Sequence, residues 1–112
     1  MRERCGLLLG DASSILDFVP CANMHWEPER HFELDPAALI AAYRAERAGG
    51  LAVMGHYHSH PVGEAVPSAA DAAAADDYGR LWLIVSRDDV RLWRSFAGGA
   101  VYGRFEAVGL GS

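Results

Sequence analysis

His58 and His60 stand two residues apart in "GHYHSHPVGEAVPSAAD", and Asp71 follows eleven residues after His60. Imidazole nitrogens and carboxylate oxygens are standard zinc ligands. The preceding run "LAVMGHYH" reads as a strand. A strand has a side-chain period of two, so His58 and His60 project from the same face and their rings can converge. "SAAD" reads as a helix start. With Ser68 as N-cap, Asp71 falls at the third helical position, where the helix dipole favours the ionised carboxylate, the form that a metal needs. Three protein ligands leave one tetrahedral position for water, the catalytic rather than the structural zinc pattern. A zinc ion there would lower the pKa of its water toward about 7 and polarise a carbonyl. The same ligand set also suits a two-His-one-carboxylate iron centre. Taken alone, "SxxD" is an ordinary capping box. His25, His31 and His56 read as surface or satisfied core histidines, although His56 shares strand parity with His58 and His60 and could lie behind them.

The elements that must position these residues are legible as a sequence of strands and two helices. "CGLLLG" reads as a buried strand, followed by a turn at "GDAS". "SILDFVPCAN" alternates partly and reads as a second strand, weakened at Pro20. "MHWEPER" reads as a loop and "HFEL" as a short strand. "DPAALIAAYRAERAGG" is the clearest helix, with Asp35 as N-cap, Pro36 at the first position and Gly49-Gly50 as its stop. Ile40 and Tyr43 share one face of it, with Pro36 and Arg47 continuing that stripe. "SAADAAAADDY" is the second helix, with an alanine run that permits close packing on a sheet. "LWLIVS" is a nearly all-apolar strand, as expected when both faces are covered. Asp88-Asp89 turn the chain into "VRLWRSF", and Gly98-Gly99 turn it into "VYGRFEAV". Six or seven strands and two helices imply an α/β or α+β domain built on one sheet.

The bulk properties exclude several classes. The chain has 112 residues, which suits one domain over 1–112. Its formal charge of −5 argues against nucleic acid as a partner, since a basic face is the usual footprint. The apolar runs are too short to span a bilayer. "MRERCGLLLG" opens like a signal peptide, but Gly6 and Gly10 break its apolar run, and it reads as a strand of the mature protein. Cys5 and Cys21 form no CxxC pair and are too few for a disulfide framework. They read as small buried hydrophobes in a reduced, cytoplasmic protein.

"HSHP", six residues and then "SAAD", with Glu3 upstream in "ERCG", resembles the JAMM motif of the JAB1/MPN/Mov34 metalloproteases: HxHP, a spacer, SxxD and a glutamate at an ExCG-type strand start. "CGLLLG", Asn23, "FELDP", the helix after it and "LIVS" are similar to the short bacterial members, over about Glu3 to Val108. Those members include sulfur-carrier-protein (CysO-cysteine type) peptidases. The resemblance implies a JAMM/MPN-like (cytidine-deaminase-like) layered α/β domain, with one mixed, mostly antiparallel sheet flanked by helices. It implies Zn2+ held by His58, His60 and Asp71, with water on the zinc as nucleophile. It also implies Glu3 as general base and Ser68 as oxyanion donor, its hydroxyl turned to the substrate rather than to the helix. By composition alone Glu3 is a solvated charge near the terminus.

The implied activity is that of a zinc isopeptidase or peptidase cleaving after the C-terminal Gly-Gly of a ubiquitin-like β-grasp protein. The extended tail would lie beside the site and pair with a strand edge. The family's usual helix ahead of the glutamate-bearing strand is expected to be absent, which would uncover apolar sheet surface and favour a homodimer or a protein partner. Trp82 and Trp93 belong either to that surface or to the core. Two other readings stay open: a non-catalytic MPN-type interaction module, and removal of ubiquitin-like modifiers from conjugated lysines. An iron oxygenase draws no support from Glu3 and Ser68.

Overall fold

The computed structural model describes residues 4–11, 14–23, 34–60, 64–75, 79–87 and 89–109. Along the chain run β1 (Cys5–Gly10), β2 (Ile15–Cys21), α1 (Pro36–Arg47), β3 (Ala52–Ser59), α2 (Ala69–Ala74), β4 (Leu81–Val85), β5 (Val90–Gly99) and β6 (Gly103–Val108). The strands form one mixed sheet in the order β2-β1-β3-β4-β5-β6. Every pairing is antiparallel except β3 with β4. Parallel neighbours cannot be joined by a tight turn, so the chain between them must cross over, and α2 is part of that crossover. The expected strand "HFEL" is represented by an isolated bridge between Leu34 and Asn23; His31, Phe32 and Glu33 lie outside the described residues.

Local chemistry accounts for several placements. Pro20 sits in β2, an edge strand, where its missing N–H costs no ladder bond. Gly55 sits mid-strand in β3, and a Cβ there would run into the Leu81 carbonyl across the ladder. Only glycine allows that approach of β3 to β4. The Asp35 carboxylate accepts from Ala37 N, as an N-cap should.

The two sheet faces differ. On one, Trp82, Ile84, Trp93 and Phe105 pack with Ala65, Ala72 and Ala75 on the α2 side. Leu39 and Tyr43 of α1 close over the same face, lining a cavity of about 190 Å³ with Leu7, Val53, His56 and Trp82. Ile40 is 53% exposed, so the packed stripe of α1 runs through Leu39 and Tyr43 rather than through Ile40. Tyr43 is held in that phase partly by the Arg80 guanidinium, 5.8 Å from its ring centre. The helix α2 is shorter than the alanine run suggests, because Ala75 leaves helical geometry at ψ 79°.

On the other face, Leu8, Leu81, Leu83 and Leu92 form a second cluster with Ile15, Met54, Tyr57 and Val108. Among the described residues neither helix packs there. Phe18 lies opposite Leu8, and Val90 and Phe96 share strand parity with Leu92. All three are exposed on this face. Trp82 and Trp93 do not belong to it: both are buried on the helix side, where the Trp93 indole N–H donates to Ala65 O at 3.0 Å.

Candidate metal and catalytic site

The end of β3 and the start of α2 bring His58, His60 and Asp71 together. His58 is the last inward residue of β3 and is fully buried. His60 lies just past the strand, yet its N–H still bonds Val85 O at 2.8 Å, extending the β3–β4 ladder. That keeps the period of two intact and both rings on one side. Asp71 is the third residue of α2. A full capping box fixes it: Ser68 Oγ accepts from Asp71 N at 3.1 Å, and Asp71 Oδ2 accepts from Ser68 N at 2.9 Å. "SxxD" is therefore a cap and part of the site at once.

The facing atoms form a nearly equilateral triangle. His58 Nε2 and His60 Nε2 are 3.1 Å apart, His60 Nε2 and Asp71 Oδ2 3.3 Å, and His58 Nε2 and Asp71 Oδ2 3.4 Å. Ligands about 2.0 Å from a tetrahedral centre are separated by about 3.3 Å, so the donor set has the spacing of one face of a zinc tetrahedron. His60 Nδ1 faces Glu64 O at 3.2 Å. A proton on Nδ1 donated to that carbonyl directs the Nε2 lone pair toward the other two donors.

The electrostatics favour a cation. Burial holds His58 below the ordinary histidine value, against the opposing pull of Asp71. For Asp71, burial raises the carboxyl's pKa, but hydrogen bonds from His58 and His60 and from the Ser68 N–H outweigh it and bring the group well below the usual range. A neutral imidazole beside an ionised carboxylate is the protonation pattern of metal ligands.

Ser68 departs from the expectation that its hydroxyl would turn away from the helix. Its oxygen accepts from Asp71 N. Accepting uses a lone pair and leaves the hydroxyl its own proton to donate. Glu3 and Pro61 lie outside the described residues, as do His25 and His31.

Two residues stand behind the triangle: His56, whose strand parity pointed there, and Trp82, for which the sequence carried no signal. The His56 ring stacks on His58 with centroids 5.7 Å apart and planes 23° apart. Trp82 stands edge-on to both, 4.3 Å from His56 and 5.8 Å from His58. Burial, then the neighbouring His58, push the His56 pKa down to about 3. Protein encloses most of that ring, and its remaining edge opens on the cavity under α1. Strand parity placed His56 on the correct face, but only the β3–β4 register sets Trp82 against it.

The strand β3 is paired on both sides, by β1 and by β4. The edges of the sheet are β2 and β6. A segment adding a strand to this sheet would therefore do so at β2 or β6 and not at β3.

A family model described as prokaryotic homologs of the JAB domain matches residues 1–96. A desampylase of Haloferax volcanii is 39% identical over 77% of this chain and 63% of its own length. A Thermus thermophilus protein named "Probable TtuB-protein conjugate cleaving protease" is 40% identical over 66% of this chain and 49% of its own. The chain thus spans about half to two thirds of these relatives. The solution structure of a Desulfitobacterium hafniense protein superposes with a TM-score of 0.77 at 28% identity, covering 96% of this chain and 75% of that one.

Proposed function

The chain belongs to the prokaryotic homologs of the JAB domain, and from that premise we propose that it is a zinc-dependent hydrolase of ubiquitin-like protein conjugates. The observation that carries this reading is the triangle of His58 Nε2, His60 Nε2 and Asp71 Oδ2. The names of two relatives, a desampylase and a conjugate-cleaving protease, support the substrate class. A bound zinc ion would supply a polarised carbonyl and a nucleophile available at neutral pH.

The chain's own residues do the rest. His58, His60 and Asp71 would hold the ion. The Ser68 hydroxyl donates to the carbonyl oxygen of the scissile bond as negative charge develops there. Glu3 takes a proton from the attacking water and delivers it to the leaving amine. The acyl side is the C-terminal Gly-Gly of a ubiquitin-like β-grasp protein, a substrate class that the relatives' names support only as far as ubiquitin-like conjugates. The amine side is a small amine or a conjugated lysine.

The test is incubation of zinc-loaded protein with a β-grasp carrier bearing an amide-linked adduct after Gly-Gly, with products weighed by mass spectrometry. Cleavage after the second glycine, abolished by a chelator, is expected. Glu3→Gln should keep zinc and lose cleavage; full activity in that variant would sink the assignment. A protein that binds no zinc on titration would instead fit an interaction module.

A further inference from the structure

We propose that Cys5 and Cys21 are a reversible redox pair, closing a cross-strand disulfide between β1 and β2 that ties down the end of β1 next to the candidate metal site. The two residues are sixteen apart in sequence but directly opposed in the antiparallel register. Opposed residues share a face and have Cα atoms about 4.5–5.5 Å apart. A disulfide spans Cα separations of about 4.4–6.8 Å, so no strand has to move far. The Cys5 thiol already lies against the backbone of the facing strand, 3.9 Å from Cys21 O and 3.8 Å from Ala22 O, while the Cys21 thiol donates to Val19 O at 3.5 Å and must turn about its Cα–Cβ bond to meet it. Both cysteines are in the reduced, thiol form.

Position makes the pair more than a staple. On its other side Cys5 is opposed to His58 in β3. Cys21, Cys5 and His58 therefore form one row across β2, β1 and β3, on one face of the sheet. Glu3 is two residues before Cys5 in the chain. Locking Cys5 to the edge strand restrains the stretch of β1 that adjoins both.

The chemistry balances with a small-molecule disulfide as oxidant. Cys21 is the more accessible sulfur, since Cys5 is only 2% exposed. The Cys21 thiolate attacks one sulfur of the small disulfide, whose S–S bond breaks, and the first small thiol leaves. The Cys5 thiolate then attacks Cys21 Sγ and expels the second. Two protein thiols become one disulfide, and one small disulfide becomes two small thiols. Burial, with Asp35 nearby, holds the Cys21 thiol above its ordinary value, so closure is faster at mildly alkaline than at neutral pH.

The test uses oxidised glutathione at mildly alkaline pH on the folded chain. The expected product is monomeric, lighter by two hydrogen atoms, without titratable thiol after denaturation, and restored by dithiothreitol. Cys5→Ser should instead stop at a glutathione adduct on Cys21. A stable adduct on Cys21 in the unsubstituted protein, or a disulfide-linked dimer, would overturn the pair. Amide hydrogen exchange of residues 4–6 should slow in the oxidised form. Equal exchange in the two forms would overturn the restraint on the β1 end. Neither readout depends on hydrolase activity, so failure here and failure of the proposed reaction are separable.

Discussion

Acid should unfold the metal-free protein through His56, and replacing that ring should remove much of the effect. His56 titrates near 6.5 when exposed and is pushed down to about 3 in the fold by burial and then by His58. Between those values the unfolded chain takes up a proton that the folded chain refuses. The stability tied to neutral His56 is therefore complete above about pH 6.5, falls as the pH drops, and is fully lost near pH 3. One proton corresponds to about 1.4 kcal/mol per pH unit. Over the two pH units down to pH 4.5 the loss is therefore about 2–3 kcal/mol. That is a large share of the roughly 5–15 kcal/mol of a typical domain.

The assay is urea unfolding of metal-free protein at several pH values, followed by the fluorescence of buried Trp82 and Trp93. The wild-type midpoint should fall by roughly 1–2 M urea from pH 6.5 to pH 4.5. His56→Phe keeps a ring against His58 and Trp82 but cannot take a proton, so its midpoint should fall less. The contribution of His58 is common to both proteins. That of Asp71, whose pKa is depressed, is lost only as the pH falls below its unfolded value of 3.8, outside the window. The slope can be read even if the baseline stabilities differ. Parallel curves for the two proteins would refute the reasoning.

Asp71→Asn retains an oxygen to accept from the Ser68 N–H but loses the charge. The helix start should persist while zinc affinity falls by about 100-fold or more, measured by competition with a chromophoric chelator. Wild-type affinity in this variant would remove Asp71 from the ligand set. Ser68→Ala breaks the capping box and should cost about 1 kcal/mol of stability in urea unfolding. The same variant should lose roughly 100-fold in kcat with zinc content unchanged; a loss of stability alone would leave Ser68 as a cap only. Gly55→Ala drives a methyl group into the Leu81 carbonyl, and should destabilise the fold by about 3 kcal/mol or more. A midpoint within error of wild type would mean that β3 and β4 are not pressed together there.

What the sequence determined by itself is local. Strand parity put His58 and His60 on one face, because alternation depends only on a residue's immediate neighbours. The cap residues Asp35 and Ser68 fixed the two helix starts, because a cap bonds within three residues of itself. The spacing HxHP and SxxD carried the family, which the domain match bears out. Which apolar residue of α1 packs was not local: Ile40 and Leu39 are equally apolar, and only the position of the sheet selected Leu39. What depends on which strands become neighbours was hidden. No spacing within residues 5–21 announces that Cys5 faces Cys21, and nothing near His56 points to Trp82, 26 positions away. Trp82 and Trp93 could have been surface or core, and the sheet faces decided for core. Register between strands comes from the summed burial of whole faces and from loop geometry, and no single short stretch of chain contains that sum.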